Sequence, residues 1–532
     1  MSINDLPKVL SVPGSAPFPS SIQVAMANII LLPIFLIIGY WVFRGALGWG
    51  DSLDLFKSVQ SPSAFVAYWY DTVNGRLSQA LVSAIVGSLF RTPDSTPESF
   101  PWWAFRALSL FCTVMAPVNF SAALARAARL NWIGAIFVLF FMWAVWSSSP
   151  VVYYNSAWFT FAEFVGYSLP TYLVSAFSLI CASSCFSISR WRWVPFALFY
   201  LFLSLFNEQL LATTPILAIG LALTHPSTGR FWHARAFSIS LTVLPLSMLA
   251  AAIYLSSPAQ TARNLTLRAA PPDLSPSALY GWFSESIPAI YKMLIPSLGE
   301  YGFKPEPLIA FFHAFVIALT LAGLSHVRKN IRASLNSGTV SEHRALYALG
   351  VMGVTFLVAY MASMSTMLVA RYFPGYAGGY PAILLAVGGI ATTLFLSHLA
   401  LRECYVRRPR WVSVVAGSMM MAGLLSAVWF VTLPNIGTIR VVIADVGRNT
   451  AIRRLYYRRI LDYHSATGQE RYVLTNCPLT QMFSWTVDPP WGLVAYFKWH
   501  GHPEIRVVLE SSDDYRNRTK DEAYVVIACE QT

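Results

Sequence analysis

Charged side chains concentrate in one short stretch of the chain, directly after its first long apolar segment. Asp51, Asp54, Asp71 and Arg76 all lie within residues 50–76, in a protein with few acidic residues. Charged groups beside a bilayer are costly to hold unless they have a function. A carboxylate can take a proton from a hydroxyl nucleophile, and an arginine binds phosphate through paired hydrogen bonds. The stretch therefore predicts chemistry on a phosphate-bearing substrate.

Further acids and arginines fall between later apolar segments, where the topology derived below brings them to the same side of a membrane. They are Glu163, Glu208, Arg263, Arg268 and Arg371. Glu208 interrupts an apolar stretch that runs from Trp193 to Leu223, where an unpaired carboxylate would be expensive. Its position predicts a functional role. Arg263 and Arg268 have a second interpretation, as interfacial anchors that extend to lipid headgroups.

Structural interpretations also exist for the first stretch. Either of its first two aspartates could cap a helix that begins just after them. Asp71 and Arg76 could form an ion pair across a helix end. Asn74-Gly75 could be only a turn, because this dipeptide favours positive φ. These alternatives stay open at the level of the sequence.

The composition indicates a membrane protein. Of the 532 residues, 56% are hydrophobic and 12% are charged, and the mean hydropathy is +0.53. Soluble domains carry roughly 25% charged residues, about twice as many. The net charge is +12, but the arginines cluster in short loops between apolar runs. The positive-inside rule produces this pattern, so the charge does not indicate a nucleic-acid partner.

The apolar segments predict a helical polytopic protein of about eleven spans. The expected spans are 21–43, 104–124, 132–148, 167–186, 193–206, 209–223, 236–255, 308–324, 346–364, 381–399 and 411–432. Basic clusters recur after every second span, which predicts that all of them are cytoplasmic. The first span has no convincing cleavage site and reads as an uncleaved helix.

The same alternation predicts the domain layout. Residues 1–20 form a cytoplasmic tail, 21–432 a transmembrane domain, and 433–532 an extracytoplasmic α/β domain. The first loop, 45–103, is expected to be extracytoplasmic. Within it, Leu77–Phe90 is about 14 residues long, too short for an ordinary span. If this segment were a span, the next basic cluster, Arg126 and Arg129, would lie on the extracytoplasmic side. We therefore expect the segment to be an interfacial or re-entrant helix.

The C-terminal domain is predicted from a change in pattern. Gly447–His464 is basic and helical in pattern, and three short apolar runs bounded by turn residues predict strands at 471–474, 505–509 and 524–528. Cys477 and Cys529 are the only cysteines here and predict a disulfide in an extracytoplasmic domain. Two buried free thiols are the alternative. The tryptophans could stack on sugar faces or form the core: Trp485, Trp491 and Trp499.

Several common motifs are missing from the sequence. No Gly-x-x-x-x-Gly-Lys-Ser/Thr phosphate loop occurs, so the sequence predicts no ATP hydrolysis. No Gly-x-Ser-x-Gly nucleophile motif occurs either. The histidines show no metal-ligand spacing with cysteines or acids, and no metal site is predicted from them. No cofactor is demanded.

Taken together, the motifs resemble those of the GT-C class of membrane glycosyltransferases, and within it a widespread bacterial family. Members of that family have acids after the first span, an Asn-Gly-Arg, an in-membrane Glu and a later Pro-Gly-Asn-x-x-Arg. Here Asn74-Gly75-Arg76 matches outright, and Phe206-Asn207-Glu208 matches in position and character. Pro258–Arg263 keeps the proline but loses the Gly-Asn, and its arginine falls one residue later. Asp51-Ser-Leu-Asp54 replaces the adjacent acids common in such proteins.

The resemblance implies transfer of a sugar from a polyprenyl-phosphate donor to an envelope glycan or lipid acceptor. The reaction would occur on the extracytoplasmic face of a bacterial inner membrane. It implies a catalytic base among Asp51, Asp54 and Asp71. It implies substrate binding by Asn74, Arg76, Glu208 and Arg263, to which the topology adds Arg268 and Arg371 on the same side of the membrane. Some members of the class use a divalent cation held by loop carboxylates.

Two other functions are compatible with the same residues. A transporter or flippase of lipid-linked sugars would use the same arginines without breaking a bond. Transporters commonly contain internal repeats with matching broken helices, and the short pair of segments around Glu208 has no counterpart in the second half of the chain. A non-catalytic assembly factor would tolerate replacement of the membrane acids and arginines but would need residues 433–532.

Overall fold

A computed structural model of the protein describes most of its helices and the C-terminal sheet. The described ranges are 21–43, 62–73, 75–90, 98–127, 164–183, 190–224, 229–267, 344–370, 383–392, 454–474, 496–509 and 524–527, with isolated residues between them. Helix is the main secondary structure in these ranges. All structural statements below refer to them.

Ten helices are labelled here in chain order. They are α1 (Ser21–Phe43), α2 (Pro62–Tyr68), α3 (Leu77–Phe90), α4 (Trp102–Ala127), α5 (Leu169–Ser183), α6 (Arg190–Ser204), α7 (Glu208–Ala222), α8 (Gly229–Leu255), α9 (Pro258–Leu267) and α10 (Arg344–Ala370). Two segments are wound as π-helical turns, Trp69–Val73 after α2 and Phe164–Ser168 before α5. The predicted bounds of α1 and α3 match the observed ones.

Within the described residues, three helices are long and apolar enough to cross a membrane. They comprise Gln23–Phe43, Trp102–Arg126 and Tyr347–Thr366, within α1, α4 and α10. Each overlaps a predicted span, and shorter apolar helices occupy several of the other predicted segments. The predicted spans 308–324 and 411–432 and most of 132–148 lie outside the described residues. A mainly helical protein with three helices that could cross a membrane is therefore observed, whereas the count of eleven spans and the orientation stay predictions.

A buried network of hydrogen bonds joins α1, α4 and α5. Asn28 on α1 donates to Asn119 Oδ1 on α4 at 3.1 Å and accepts from Tyr172 Oη on α5 at 3.1 Å. Asn119 donates in turn to Ser175 Oγ at 3.1 Å. Hydrogen bonds between helices stabilise packing in lipid, where water cannot satisfy these groups. The other face of α1 exposes Ile29, Ile30, Ile37, Ile38 and Trp41, as expected of a lipid-facing helix.

Close backbone approach joins α7 to α10. A Cβ atom added to Gly220 of α7 would lie 2.1 Å from Thr355 Oγ1 of α10. Small residues at such crossings let helices approach closely in a bilayer. This packing holds α7, whose first residue is Glu208, against the long helix α10.

The C-terminal region forms a small α/β unit. A helical segment over 454–467 leads into strand β1 (Arg471–Leu474), followed by β2 (Arg506–Leu509) and β3 (Val525–Ile527). The three strands are parallel in the order β2-β1-β3, with Arg471 opposite Arg506. The predicted strands are thus confirmed to within one residue at their ends. Cys477 and Cys529 lie outside the described residues, so the disulfide stays a prediction.

The α/β unit packs against the segment that precedes α4. Glu98 accepts a hydrogen bond from Tyr496 Oη, and its Oε2 lies 3.0 Å from His500 Nε2. Trp499 contacts the rings of Phe100 and Trp102, each with a centroid distance of 6.3 Å. Trp499 therefore contributes to hydrophobic packing between the unit and the first loop.

Candidate functional site

Two charged residues from distant parts of the chain meet in the helical part. Arg76 Nη2 donates to Glu208 Oε2 at 2.9 Å, and Tyr254 Oη donates to the other carboxylate oxygen, Oε1, at 2.5 Å. Arg76 is buried, with 9% of its surface exposed, whereas 27% of the Glu208 side chain is exposed. The pair is therefore mostly buried but open on the glutamate side.

The charges of this pair support each other. Burial acts to lower the pKa of Arg76. The Glu208 carboxylate, with smaller contributions from Tyr167 and Tyr254, outweighs burial and raises this pKa above its ordinary value. Arg76 therefore stays positively charged. Because both Glu208 oxygens accept hydrogen bonds, this carboxylate is arranged to orient the arginine rather than to take a proton.

The backbone at Gly75 sets the direction of Arg76. Gly75 has a φ of +67°, in the left-handed region that favours glycine, and an added Cβ would lie 2.5 Å from Ser257 Oγ. The next residues attach to the end of α6, since Ser78 N donates to Leu205 O at 3.2 Å and Ser78 Oγ donates to Phe202 O at 2.6 Å. The start of α3 is therefore held beside the link between α6 and α7.

Asn207 determines where α7 begins and thus where Glu208 lies. Its backbone is extended, and its Oδ1 accepts from Leu210 N at 2.9 Å, the usual hydrogen bond of an asparagine N-cap. Its Nδ2 donates to Gly166 O at 3.0 Å. The cap is thus also tied to the π-helical turn Phe164–Ser168, which carries Tyr167 beside Arg76.

The second π-helical turn, Trp69–Val73, approaches the same place from the other side. Tyr70 Oη donates to Ile253 O and lies 2.8 Å from Ser256 Oγ, while Ser257 Oγ donates to Tyr70 O. Two π-helical turns therefore flank the Arg76–Glu208 pair. Such turns are rare and occur frequently at functional sites.

Helix α9 starts at this contact. Gln260 N donates to Ser257 Oγ at 3.3 Å, and Pro258 occupies the first helical position, the arrangement that N-terminal caps favour. Described residues from the three stretches singled out in the sequence, 75–76, 206–208 and 258–260, therefore lie together at one ion pair. Arg263 lies on α9.

The other predicted site residues have the following positions. Asp71 lies on the π-helical turn Trp69–Val73 with an exposed side chain. Among the described contacts, the carboxylate that pairs with Arg76 is that of Glu208, and Asp71 is exposed. Outside the described residues lie Asp51, Asp54, Asn74, Glu163, Arg268 and Arg371. Their predicted roles are neither supported nor opposed by the structure.

Sequence reasoning missed the tyrosines. Tyr254 hydrogen-bonds to Glu208, and Tyr167 contributes to the electrostatic environment of Arg76. Both lie within apolar segments, where tyrosine resembles any other aromatic packing residue. The sequence feature that could have identified Tyr254 is its position shortly before the Pro258–Arg263 stretch.

The arrangement can hold a guanidinium in a fixed orientation at a partly open, low-dielectric surface. A group of this kind binds anions such as phosphate, because guanidinium is permanently charged and planar. The chain matches no protein-family model, and it has no significant match among curated proteins.

Proposed function

We propose that the protein is a glycosyltransferase of the GT-C type in the bacterial inner membrane. It would move a sugar from a polyprenyl-phosphate donor to an envelope glycan or lipid on the extracytoplasmic face. The observation that supports this proposal is that residues 75–76, 206–208 and 258–260, which belong to the three motif stretches, meet at the Arg76–Glu208 ion pair.

The proposed reaction is a displacement at the anomeric carbon. Asp54 or Asp51 takes the proton of the acceptor hydroxyl, whose oxygen attacks the anomeric carbon. The bond between that carbon and the phosphate oxygen breaks, and polyprenyl phosphate leaves with the electron pair. Negative charge grows on the leaving phosphate, which Arg76 stabilises together with Arg263 and Arg371.

Glu208 is a positioning residue in this scheme. It holds Arg76 in one orientation and balances its charge within a mostly buried site. Fixing a donor before the reaction removes the cost of reorganising it as charge develops. Tyr254 orients Glu208 in the same way through its hydrogen bond.

Mass spectrometry of the reaction products tests the proposal. Purified full-length protein in detergent is incubated with several polyprenyl-phosphate sugars and an envelope-glycan acceptor extract. The variants are the Asp51→Asn/Asp54→Asn double substitution and Arg76→Lys, with Arg471→Lys on strand β1 as the matched arginine control. We expect a new glycosidic product from the wild type and the control but not from the double variant.

Two other outcomes contradict the proposal. Product formation by the double variant at the wild-type rate would exclude Asp51 and Asp54 as the base. Lipid that binds but stays intact with every donor would instead indicate a transporter of lipid-linked sugars, which needs the same phosphate recognition but breaks no bond.

A further inference from the structure

Two histidines and a glutamate converge in the α/β unit, away from the Arg76–Glu208 pair. His464 Nε2 lies 3.0 Å from Glu504 Oε1, and His502 Nδ1 lies 3.1 Å from the same oxygen. The two imidazole rings meet edge to face, with centroids 4.9 Å apart. One ligand atom from each residue lies within 4.8 Å of the others.

The hydrogen bond of His464 Nδ1 shows which ring nitrogen of His464 carries a proton. Its Nδ1 lies 2.6 Å from Gln469 O, and a carbonyl can only accept, so Nδ1 carries the proton. In the neutral ring, Nε2 then has a lone pair that points at the carboxylate of Glu504. Two electron-rich atoms at 3.0 Å repel unless a positive charge lies between them. Either a second proton on the ring or a metal ion provides that charge, and a metal ion would also be bound by the nearby His502.

We propose that His464, His502 and Glu504 bind a divalent transition-metal ion, of which Zn²⁺ fits best. Zinc takes imidazole nitrogen and carboxylate oxygen at about 2.0–2.2 Å, which in a tetrahedron separates neighbouring ligand atoms by roughly 3.3–3.6 Å. The observed contacts of 3.0 and 3.1 Å lie within about 0.6 Å of that spacing, and all three ligand atoms lie within 4.8 Å of one another. Mg²⁺ and Ca²⁺ prefer all-oxygen ligands and do not fit two imidazoles.

The fold supplies the supporting groups that metal sites use. The Nδ1–H bond to Gln469 fixes the orientation and tautomer of His464, as backbone carbonyls do for metal-bound histidines elsewhere. Gln469 and Glu504 both precede paired strands, β1 and β2, and parallel pairing places these ends side by side. Arg506 N donates to Glu470 O at 2.7 Å and holds this edge together.

The site is accessible to ions from solvent. The His464 side chain is 12% exposed, whereas those of His502 and Glu504 are 34% and 35% exposed. Three protein ligands leave a fourth position for water. The bound ion would link the end of helical segment 454–467 to the beginning of β2 and stabilise the unit, because a ligand that binds only the folded state favours it.

Zinc titration of the full-length protein, stripped of metal by a chelator, tests the proposal. Isothermal titration calorimetry measures Zn²⁺ affinity, and Co²⁺ absorption reports the coordination geometry. Glu504→Gln and His502→Gln are the test variants. The matched control is His500→Gln, which changes a neighbouring histidine that faces Glu98 instead. Thermal unfolding and trypsin resistance of each metal-free variant verify that it folds.

We expect the wild type and His500→Gln to bind Zn²⁺ alike, to give the Co²⁺ spectrum of a low-coordinate site, and to retain Zn²⁺ in excess Mg²⁺. Both test variants should bind Zn²⁺ at least ~10-fold more weakly, because even the loss of an outer-shell partner costs 10–100-fold. Equal affinity in the wild type and both test variants would overturn the proposal. So would the absence of Zn²⁺ binding by the wild type.

Discussion

Arg76 Nη2 and Glu208 Oε2 lie 2.9 Å apart although 132 positions separate the two residues in the sequence. The pair connects the residue directly before α3 to the first residue of α7. Tyr254 at the end of α8 completes it through the second oxygen of Glu208. One ion pair therefore ties together three helices that adjoin the first loop, and the following predictions test its structural and chemical importance.

Glu208→Gln should destabilise the protein and lower transfer. The substitution removes the charge of Glu208 that faces the buried Arg76, and breaking a buried ion pair in this way costs about 3–5 kcal/mol. We expect a lower midpoint of thermal unfolding in detergent, with Glu470→Gln, an exposed glutamate before β1, as the unchanged control. Adding Arg76→Met to Glu208→Gln should recover part of the lost stability. Failure of the double variant to recover any would show that the two charges are not coupled.

Arg76→Lys should reduce transfer far more than it reduces stability. Lysine keeps the charge that Glu208 needs but loses the planar fork that binds phosphate. The loss of one preorganised group that stabilises developing charge typically costs about 10²–10³ in kcat. Steady-state kinetics with the polyprenyl-phosphate donor measures this effect. A kcat within a factor of two of wild type would remove Arg76 from the proposed mechanism.

Gly75→Ala should destabilise the protein more than Gly468→Ala does. Both glycines have positive φ, +67° and +69°, so both substitutions incur the same backbone strain of about 1 kcal/mol. Only at Gly75 would the new Cβ meet Ser257 Oγ at 2.5 Å, whereas no atom of the described residues lies within 4 Å at Gly468. Thermal unfolding compares the two variants. Equal losses would mean that the contact with Ser257 relaxes freely.

Tyr254→Phe should lower both stability and transfer. It removes the hydroxyl that donates to Glu208 Oε1, and such a hydrogen bond to a charged group contributes about 1.5–3 kcal/mol. The control is Tyr200→Phe, which removes a hydroxyl 2.5 Å from Ser247 Oγ in the same helical part but away from the ion pair. We expect both variants to lose stability and only Tyr254→Phe to lose transfer. An equal reduction of transfer in both would indicate a general packing effect.

Contact between the α/β unit and the first loop should weaken as the pH falls below 4.5. Burial acts to raise the pKa of Glu98, but hydrogen bonds from His500 and Tyr496 outweigh it and lower the pKa from 4.5 to about 2. Because the pKa of Glu98 is lower in the folded than in the unfolded protein, its ionised carboxylate stabilises the fold fully above pH 4.5. This stabilisation is lost as the pH falls from 4.5 through about 2.

Limited proteolysis of the loop before α4 across that range measures the contact. We expect protection to decline between pH 4.5 and about 2 in the wild type, and to be weaker but independent of pH in Glu98→Gln. An acid-stable protease such as pepsin suits this range. A variant with the same pH dependence as the wild type would show that another group controls the contact.

The sequence by itself determined the elements and their chemical character. Long apolar segments predicted α1, α4 and α10, since their length and hydropathy depend only on neighbouring residues. Short apolar runs between turn residues predicted the three strands for the same reason. Glu208 was identified because a carboxylate within an apolar stretch requires a partner wherever it lies.

Tertiary structure alone decided which residues meet. Arg76 pairs with Glu208 because α3 packs against the link between α6 and α7. No local sequence pattern encodes that packing. His464 and His502 show no metal-ligand spacing along the chain, and parallel pairing of β1 with β2 brings them together at Glu504. Contacts between distant segments depend on how whole elements pack, which is why periodicity and spacing revealed the charged groups but not their partners.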